Sequence, residues 1–351
     1  MSSDSNQEFI EKFEKIEKEY LKNPDLEEIA SEYLKMLCDL ALQQDDEQSL
    51  QEIVIRASGV YDTHSGSEEI ANRYLWILCF LAFQQDDEQS LQETVIRASS
   101  VYDNHSDSEE NANNYLWILR FLVSQQEDEK KLQETVNKAS SVYDTHSGSE
   151  EIANNYLWIL CSLASQQDDE QSLQETAIRA SSVYNNHSGS EENAINYLWI
   201  LRFLAFQQDD EQSLQETVNK ASSVYDNHSD SEENANNYLW ILRFLAFQQD
   251  DEQSLQETAI RASSVYDHHL GSEEIANNYS VILYYLAYQQ DDEQSLKETA
   301  IRASSVYDHH LGSEEIANNY LWILRFLASQ QDDEQSLKET AIRASAFMII
   351  I

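Results

Sequence analysis

Apolar positions recur along this chain in two alternating helical patterns, and the pair of patterns repeats every 41 residues. The first pattern is clearest in Ala71-Asn72-Arg73-Tyr74-Leu75-Trp76-Ile77-Leu78-Cys79-Phe80-Leu81. At about 100° per residue, Ala71, Tyr74, Leu78 and Leu81 share one stripe, and these four residue types are the same in every copy. The second pattern puts Leu91, Val95, Ala98 and Val101 on one face, with Glu93 and Arg97 four apart in the favourable order. The spacing predicts a helix A from about Glu68 to Gln85 and a helix B from about Glu88 to Tyr102. Two tyrosine columns keep step with the period: Tyr33, Tyr74, Tyr115, Tyr156, Tyr197, Tyr238, Tyr279 and Tyr320 in helix A, and Tyr61, Tyr102, Tyr143, Tyr184, Tyr225, Tyr266 and Tyr307 in helix B.

The polar punctuation supports these bounds. Ser65-Gly66-Ser67-Glu68 reads as a capping box with Ser65 at the cap, and Asp86-Asp87-Glu88 as the cap and first turn of helix B. The closing loop ends at Gly66, Asp107, Gly148, Gly189, Asp230, Gly271 and Gly312, residue types that tolerate a left-handed backbone. No segment alternates like a strand. The expected architecture is all-α: about eight antiparallel helix pairs stacked as an α-solenoid, since no single unit can bury its apolar face alone.

The copies also act as an internal alignment that separates two faces of helix A. Opposite the invariant stripe runs a variable one. It reads Asn72-Trp76-Cys79-Phe83, Asn113-Trp117-Arg120-Ser124, Asn154-Trp158-Cys161-Ser165 and Ile195-Trp199-Arg202-Phe206. It continues as Asn236-Trp240-Arg243-Phe247, Asn277-Val281-Tyr284-Tyr288 and Asn318-Trp322-Arg325-Ser329. All three cysteines (Cys38, Cys79, Cys161) fall in the column where other copies hold Arg or Tyr. A packed core does not exchange Cys for Arg cheaply, because a guanidinium needs water or a partner. That column is therefore expected to line a groove, whereas the Trp column fits either a groove or inter-repeat packing. Trp and Arg are also the side chains most enriched at binding hot spots. The candidate ligand-groove residues are Asn72, Trp76, Asn113, Trp117, Arg120, Trp158, Trp199, Arg202, Phe206, Asn236, Trp240, Arg243, Phe247, Tyr284, Tyr288, Trp322 and Arg325.

The unit resembles a tetratricopeptide (TPR) repeat. Gln85-Asp86-Asp87-Glu88-Gln89-Ser90-Leu91 is similar to the turn and start of a TPR second helix, Ala98 falls where that helix carries its small packing residue, and Tyr74 to Ala82 resembles a first helix. The long period is similar to that of kinesin light chain repeats. HEAT repeats fit the period better, but the proline they tend to carry in their first helix is missing. The likeness spans residues 26–345 and departs from TPRs in lacking a helix A glycine and a proline after helix B. It implies a right-handed superhelix whose concave groove binds peptides or partner proteins. Asn72, Asn113 and Arg120 echo part of the carboxylate clamp of some TPRs, without its lysines.

Composition narrows the partners. With 65 acidic against 22 basic residues and a formal charge of -43, direct nucleic-acid binding is disfavoured, while basic partners are attracted. No apolar run is long enough for a membrane span, Met1-Ser2-Ser3-Asp4 opens nothing like a signal peptide, and cysteines without framework spacing point to a cytoplasmic setting. The loop histidines (His64, His105, His146, His187, His228, His269, His310) come one per repeat and read as solvated loop residues rather than metal ligands. The turns at Asp45, Asp86, Asp168, Asp209, Asp250, Asp291 and Asp332 form an acidic ridge.

No cofactor pattern and no catalytic constellation is present, and an enzyme is not expected. The reading is a non-enzymatic protein- or peptide-binding scaffold working through the helix A groove. The alternatives are an acidic decoy or chaperone for basic, nucleic-acid-binding proteins, and a plain spacer. Residues 1–25 read as an N-terminal capping helix. The apolar tail 346–351 suits end-to-end self-association or a truncation.

Overall fold

In the computed structural model, residues 3–331 and 334–348 are described; among them are seventeen α-helices and no strand. They divide into two compact units, Met1–Gln166 and Gln167–Ile351. The first holds α1 (Ser3–Lys22), α2 (Glu27–Ala41), α3 (Glu47–Thr63), α4 (Glu68–Gln84), α5 (Glu88–Asn104), α6 (Glu109–Gln125), α7 (Glu129–Thr145) and α8 (Glu150–Ala164). The second holds α9 (Glu170–Asn186), α10 (Glu191–Gln207), α11 (Glu211–Asn227), α12 (Glu232–Gln248), α13 (Glu252–His268), α14 (Glu273–Gln289), α15 (Glu293–His309), α16 (Glu314–Gln330) and α17 (Glu334–Met348).

Even-numbered helices are the A helices and odd-numbered ones the B helices. Within each unit an A helix packs on the A helix of the next repeat (α4 on α6, α12 on α14), and α3, α5, α7, α11, α13 and α15 each pack between their own A helix and the following one. Among the described residues no B helix packs closely on another B helix, so the A helices form the close-packed layer of each unit. That is the repeat arrangement expected of a solenoid. The invariant stripe explains the A layer: Ala71, Leu78, Ala112, Leu119, Ala235 and Leu242 have no exposed surface, and neither do Leu91 and Ala98 across from them. Burying each Leu or Ile contributes about 1.5–3 kcal/mol.

The two tyrosine columns turn out to be one structure. Tyr61 stacks on Tyr74 with ring centroids 5.4 Å apart, Tyr102 on Tyr115 at 5.1 Å and Tyr225 on Tyr238 at 5.3 Å. Each B helix from α3 to α15 is thus clasped to the next A helix by an aromatic pair in near-parallel geometry. The first helix obeys the same rule. Tyr20, one period before Tyr61, stacks on Tyr33 at 4.8 Å, and Glu17 of α1 receives both the Tyr33 hydroxyl and Arg56. α1 therefore occupies the place of a B helix ahead of α2.

Buried polar groups close the A–B turns. Gln85 accepts a hydrogen bond from Thr94 Oγ1 at 2.8 Å, and the pair recurs as Gln126–Thr135, Gln208–Thr217, Gln249–Thr258 and Gln290–Thr299. Both partners are buried, and the bond satisfies groups that would otherwise be costly to remove from water.

Two expectations about the turns are corrected. The cap of helix A is Ser67, not Ser65; Ser67 Oγ accepts from Ile70 N, which leaves Glu68 and Glu69 in the first turn and makes no capping box. The closing loop does not need a left-handed backbone at Asp107 or Asp230. Among the described residues only Gly312 has positive φ, at 111°. The loop closes instead through His at the C-cap, whose carbonyl accepts from the capping serine, as His64 does from Ser67 at 2.9 Å. Asp332 and residues 349–351 lie outside the described residues, and the side chains of 346–348 do as well.

Candidate functional site

The variable stripe lies on the solvent side of the A layer and is built from three interlocking columns. The first joins Arg and Trp. In the first unit the Arg120 guanidinium stacks over Trp117 of its own helix at 4.2 Å and over Trp158 of the next A helix at 4.3 Å. In the second unit Arg202 does the same with Trp199 at 4.5 Å and Trp240 at 4.3 Å, while Arg243 lies over Trp240 at 4.5 Å and Arg325 over Trp322 at 4.8 Å. Such contacts gain about 0.5–2 kcal/mol as water is excluded. The Trp column thus both packs against neighbouring repeats and reaches solvent. Trp76, Trp117 and Trp322 are exposed, and Trp158, Trp199 and Trp240 half-buried.

The second column is an amide ladder. Asn113 donates to Glu151 of the next repeat at 2.6 Å and accepts from Asn155 Nδ2 at 2.6 Å; Asn236 donates to Glu274 at 2.7 Å and accepts from Asn278 at 2.8 Å. Asn72 is held in the same way by Glu110 and Asn114. The Arg column joins in: Arg120 Nη1 donates to Asn155 Oδ1 at 2.7 Å, and Arg202 and Arg243 reach Asn237 and Asn278 at 3.4 Å. Where this position is cysteine, the thiol turns to the backbone of the same neighbour, as Cys79 Sγ does to the Asn114 carbonyl at 3.3 Å. Burial pushes the thiols of Cys38 and Cys161 up to about 12, and that of Cys79 upward too. This exchange of Arg for Cys follows from a position that is half-buried and bordered by acceptors.

The third column is aromatic and outermost. Phe206, Phe247 and Tyr288 are 67%, 68% and 65% exposed, and each leans edge-on against a ring of the following A helix: Phe244 at 5.6 Å, Tyr285 at 5.7 Å and Phe326 at 5.8 Å. Phe83 makes the same contact with Phe121 at 5.7 Å, but Ser124 and Ser165 replace it in the next two copies. Tyr284 links the rows by touching Tyr285 and Phe326. The partner row of Phe121, Phe244, Tyr285 and Phe326 was not singled out from sequence, although its spacing of four from the Trp column signals one helix face. The Asn114, Asn155, Asn237 and Asn278 column was missed for a plainer reason: it looked like ordinary helix surface.

Clefts follow the stripe. One of about 470 Å³ is lined by Lys35, Cys38, Glu69, Asn72, Arg73 and Trp76. Another of about 250 Å³ lies between Phe247, Tyr284, Tyr285 and Tyr288. A cleft of about 500 Å³ lies away from it on the B side, walled by Glu88, Glu93, Gln126, Lys131, Glu134 and Lys138. Lys131 crosses to Glu88 at 3.0 Å there.

The loop histidines are not simply solvated. His105 Nε2 lies 2.7 Å from the Ser65 carbonyl oxygen, His146 Nε2 2.8 Å from Ser106 and His228 Nε2 2.8 Å from Ser188, so each ring N–H stitches its loop to the preceding one. Among the described residues no group of three His, Cys, Asp or Glu gathers closely enough to hold a metal ion. In the acidic turns the second Asp is the helix cap: Asp87 accepts from Ser90 N at 2.9 Å, and these hydrogen bonds hold its carboxyl below the usual range.

No known family matches the chain, and no curated protein does. A solved structure similar to it comes from the computational design of self-assembling cyclic protein homooligomers; it is 12% identical, with 93% of this chain and 95% of that one covered, at a TM-score of 0.11. A score that low leaves the architecture to rest on the helices themselves. The chain is a tandem helical repeat protein. No described helix is long and apolar enough to cross a membrane.

Proposed function

We propose that this chain is a non-enzymatic, TPR-like binding scaffold whose A-helix face holds an extended peptide or partner segment in the cytoplasm. The observation that carries the reading is the outer aromatic column. Phe206, Phe247 and Tyr288 stand in three consecutive repeats with about two-thirds of each ring in water. Rings presented in a row, rather than scattered singly, mark interaction surfaces. Partner side chains would seat between successive rings, and modest gains at each repeat would combine along the groove.

The test is capture of partners by the wild-type chain and by Phe206→Ala/Phe247→Ala/Tyr288→Ala, eluted by stepped salt. These rings are better targets than Trp199, Arg202 or Trp240, which also hold repeats together. A discrete partner kept by wild type at moderate salt and lost by the triple variant supports the groove; equal retention by both sinks it.

A second reading has its own support. In the second unit the second Asp of each described acidic turn is used as the cap, which leaves Asp209, Asp250 and Asp291 exposed in three successive turns. Such a ridge would attract a basic protein in the manner of a nucleic-acid decoy. Binding of that kind would be indifferent to the ring substitutions and would collapse as salt screens it.

A further inference from the structure

In a chain with 65 acidic residues, the arginines of the second unit's A face have no carboxylate partner among the described residues. Among the described residues no Asp or Glu lies within ion-pair distance of Arg202, Arg243 or Arg325, whereas Arg56, Arg73 and Lys131 all have one. Arg202 and Arg243 are half-buried. Each makes a single hydrogen bond, to an Asn at 3.4 Å, from a guanidinium with five donors. Removal from water already lowers the proton affinity of Arg202. The carboxylate whose charge it feels is Glu274, and that group is taken by Asn236 at 2.7 Å. The Trp contacts fix these guanidiniums in place, so little freedom remains to be lost when an anion binds.

From this we infer that the groove takes an acidic extended segment, with ligand side-chain carboxylates seated on Arg202, Arg243 and Arg325 and apolar side chains against Phe206, Phe247 and Tyr288. The inference rests on the A face being the binding face. Its register follows from geometry. Packed helices lie about 8–10 Å apart. A polyproline II segment returns every third side chain to the same side after about 9.3 Å. Arg202 and Arg243 lie on neighbouring A helices, so their carboxylates come three residues apart. Arg325 stands two repeats beyond Arg243, with Tyr284 at the position between. The matching segment is therefore acidic at its first, fourth and tenth positions and neutral at its seventh. The overall negative charge would slow the approach of such a ligand, but at physiological salt that repulsion is screened beyond about 8 Å, whereas the guanidinium contacts are direct.

The experiment is fluorescence anisotropy of the full chain with three labelled proline-containing peptides. One carries Glu at the first, fourth and tenth positions, one carries Gln there, and one has the same Glu count at shifted positions. The Glu peptide is expected to bind roughly tenfold more tightly than the Gln peptide for each carboxylate contact made, and the shifted peptide to fall toward the Gln peptide. Arg243→Met should narrow the gap between Glu and Gln peptides, and a melting curve shows whether that variant is folded. The peptide substitutions test the same contact without touching the protein. Equal binding of Glu and Gln peptides overturns the carboxylate seats while leaving an aromatic groove standing, since Phe206→Ala/Phe247→Ala/Tyr288→Ala would still weaken both. Failure of the Glu peptide to bind, or equal binding of the shifted one, also overturns the inference.

Discussion

Arg202 lies over the Trp240 ring of the next A helix, its guanidinium carbon 4.3 Å from the ring centroid. One repeat is thereby fastened to the next through a side chain whose position the copies also fill with Cys or Tyr. Arg202→Ala removes two ring contacts and a hydrogen bond, and Arg202→Met keeps the aliphatic contact with Trp199 and Trp240. We expect the alanine variant to lose about 0.5–2 kcal/mol, and the methionine variant less. Urea unfolding followed by tryptophan fluorescence reads both, and equal losses would mean that the charge contributes more than the stacking.

The cysteine column predicts unreactive thiols. Burial holds Cys38 and Cys161 at about 12, so almost no thiolate exists near neutral pH. Iodoacetamide at mildly alkaline pH should alkylate the folded chain far more slowly than the chain in urea. Rapid modification of the folded protein would show that these A helices open locally.

The period and the invariant stripe made the helix pairs legible, because burial on one face leaves a 3.6-residue trace. The Tyr columns were visible too, but not their pairing: Tyr61 and Tyr74 lie 13 residues apart in different helices, and only the packing of B on the next A brings them to 5.4 Å. The same is true of the ladder. Nothing local marks Asn155 as the acceptor for Arg120, since the contact joins neighbouring repeats. His105 was misread because its partner is a backbone carbonyl, and backbone groups are silent in a side-chain pattern. The cap was misplaced by two residues because Ser65 and Ser67 are both good caps.

Acid should weaken the helix B caps. Hydrogen bonds from Ser90 hold the Asp87 carboxyl below its usual value, and Asp46, Asp169, Asp210, Asp251 and Asp292 are lowered in the same way. A lowered native value means that the unfolded chain binds the proton first. The caps' contribution is therefore complete above the unfolded value of about 4 and is lost as pH falls through the folded value. Thermal midpoints measured from pH 7 down to pH 3 should drop. Asn at these positions keeps an acceptor without titrating, so the six Asp→Asn substitutions together should flatten that fall; an unchanged slope would place the acid sensitivity elsewhere.

Three repeats carry an asparagine where the others have isoleucine. Asn111, Asn193 and Asn234 are fully buried at the position of Ile29, Ile70, Ile152, Ile275 and Ile316, and neither the amide nitrogen nor the oxygen finds a partner among the described residues. An unsatisfied buried polar group costs about 1–3 kcal/mol, and an apolar side chain of similar size removes that cost. The site already accepts isoleucine in five copies, so strain is not expected. Asn111→Ile and Asn193→Ile should each raise the urea midpoint, and because the two positions fall in different units their effects should add. If either substitution lowers the midpoint, a buried water bridges that amide and the asparagine is part of a satisfied network. A gain of the expected size would mark these three repeats as the weak links of the array, the ones where hydrogen exchange is fastest.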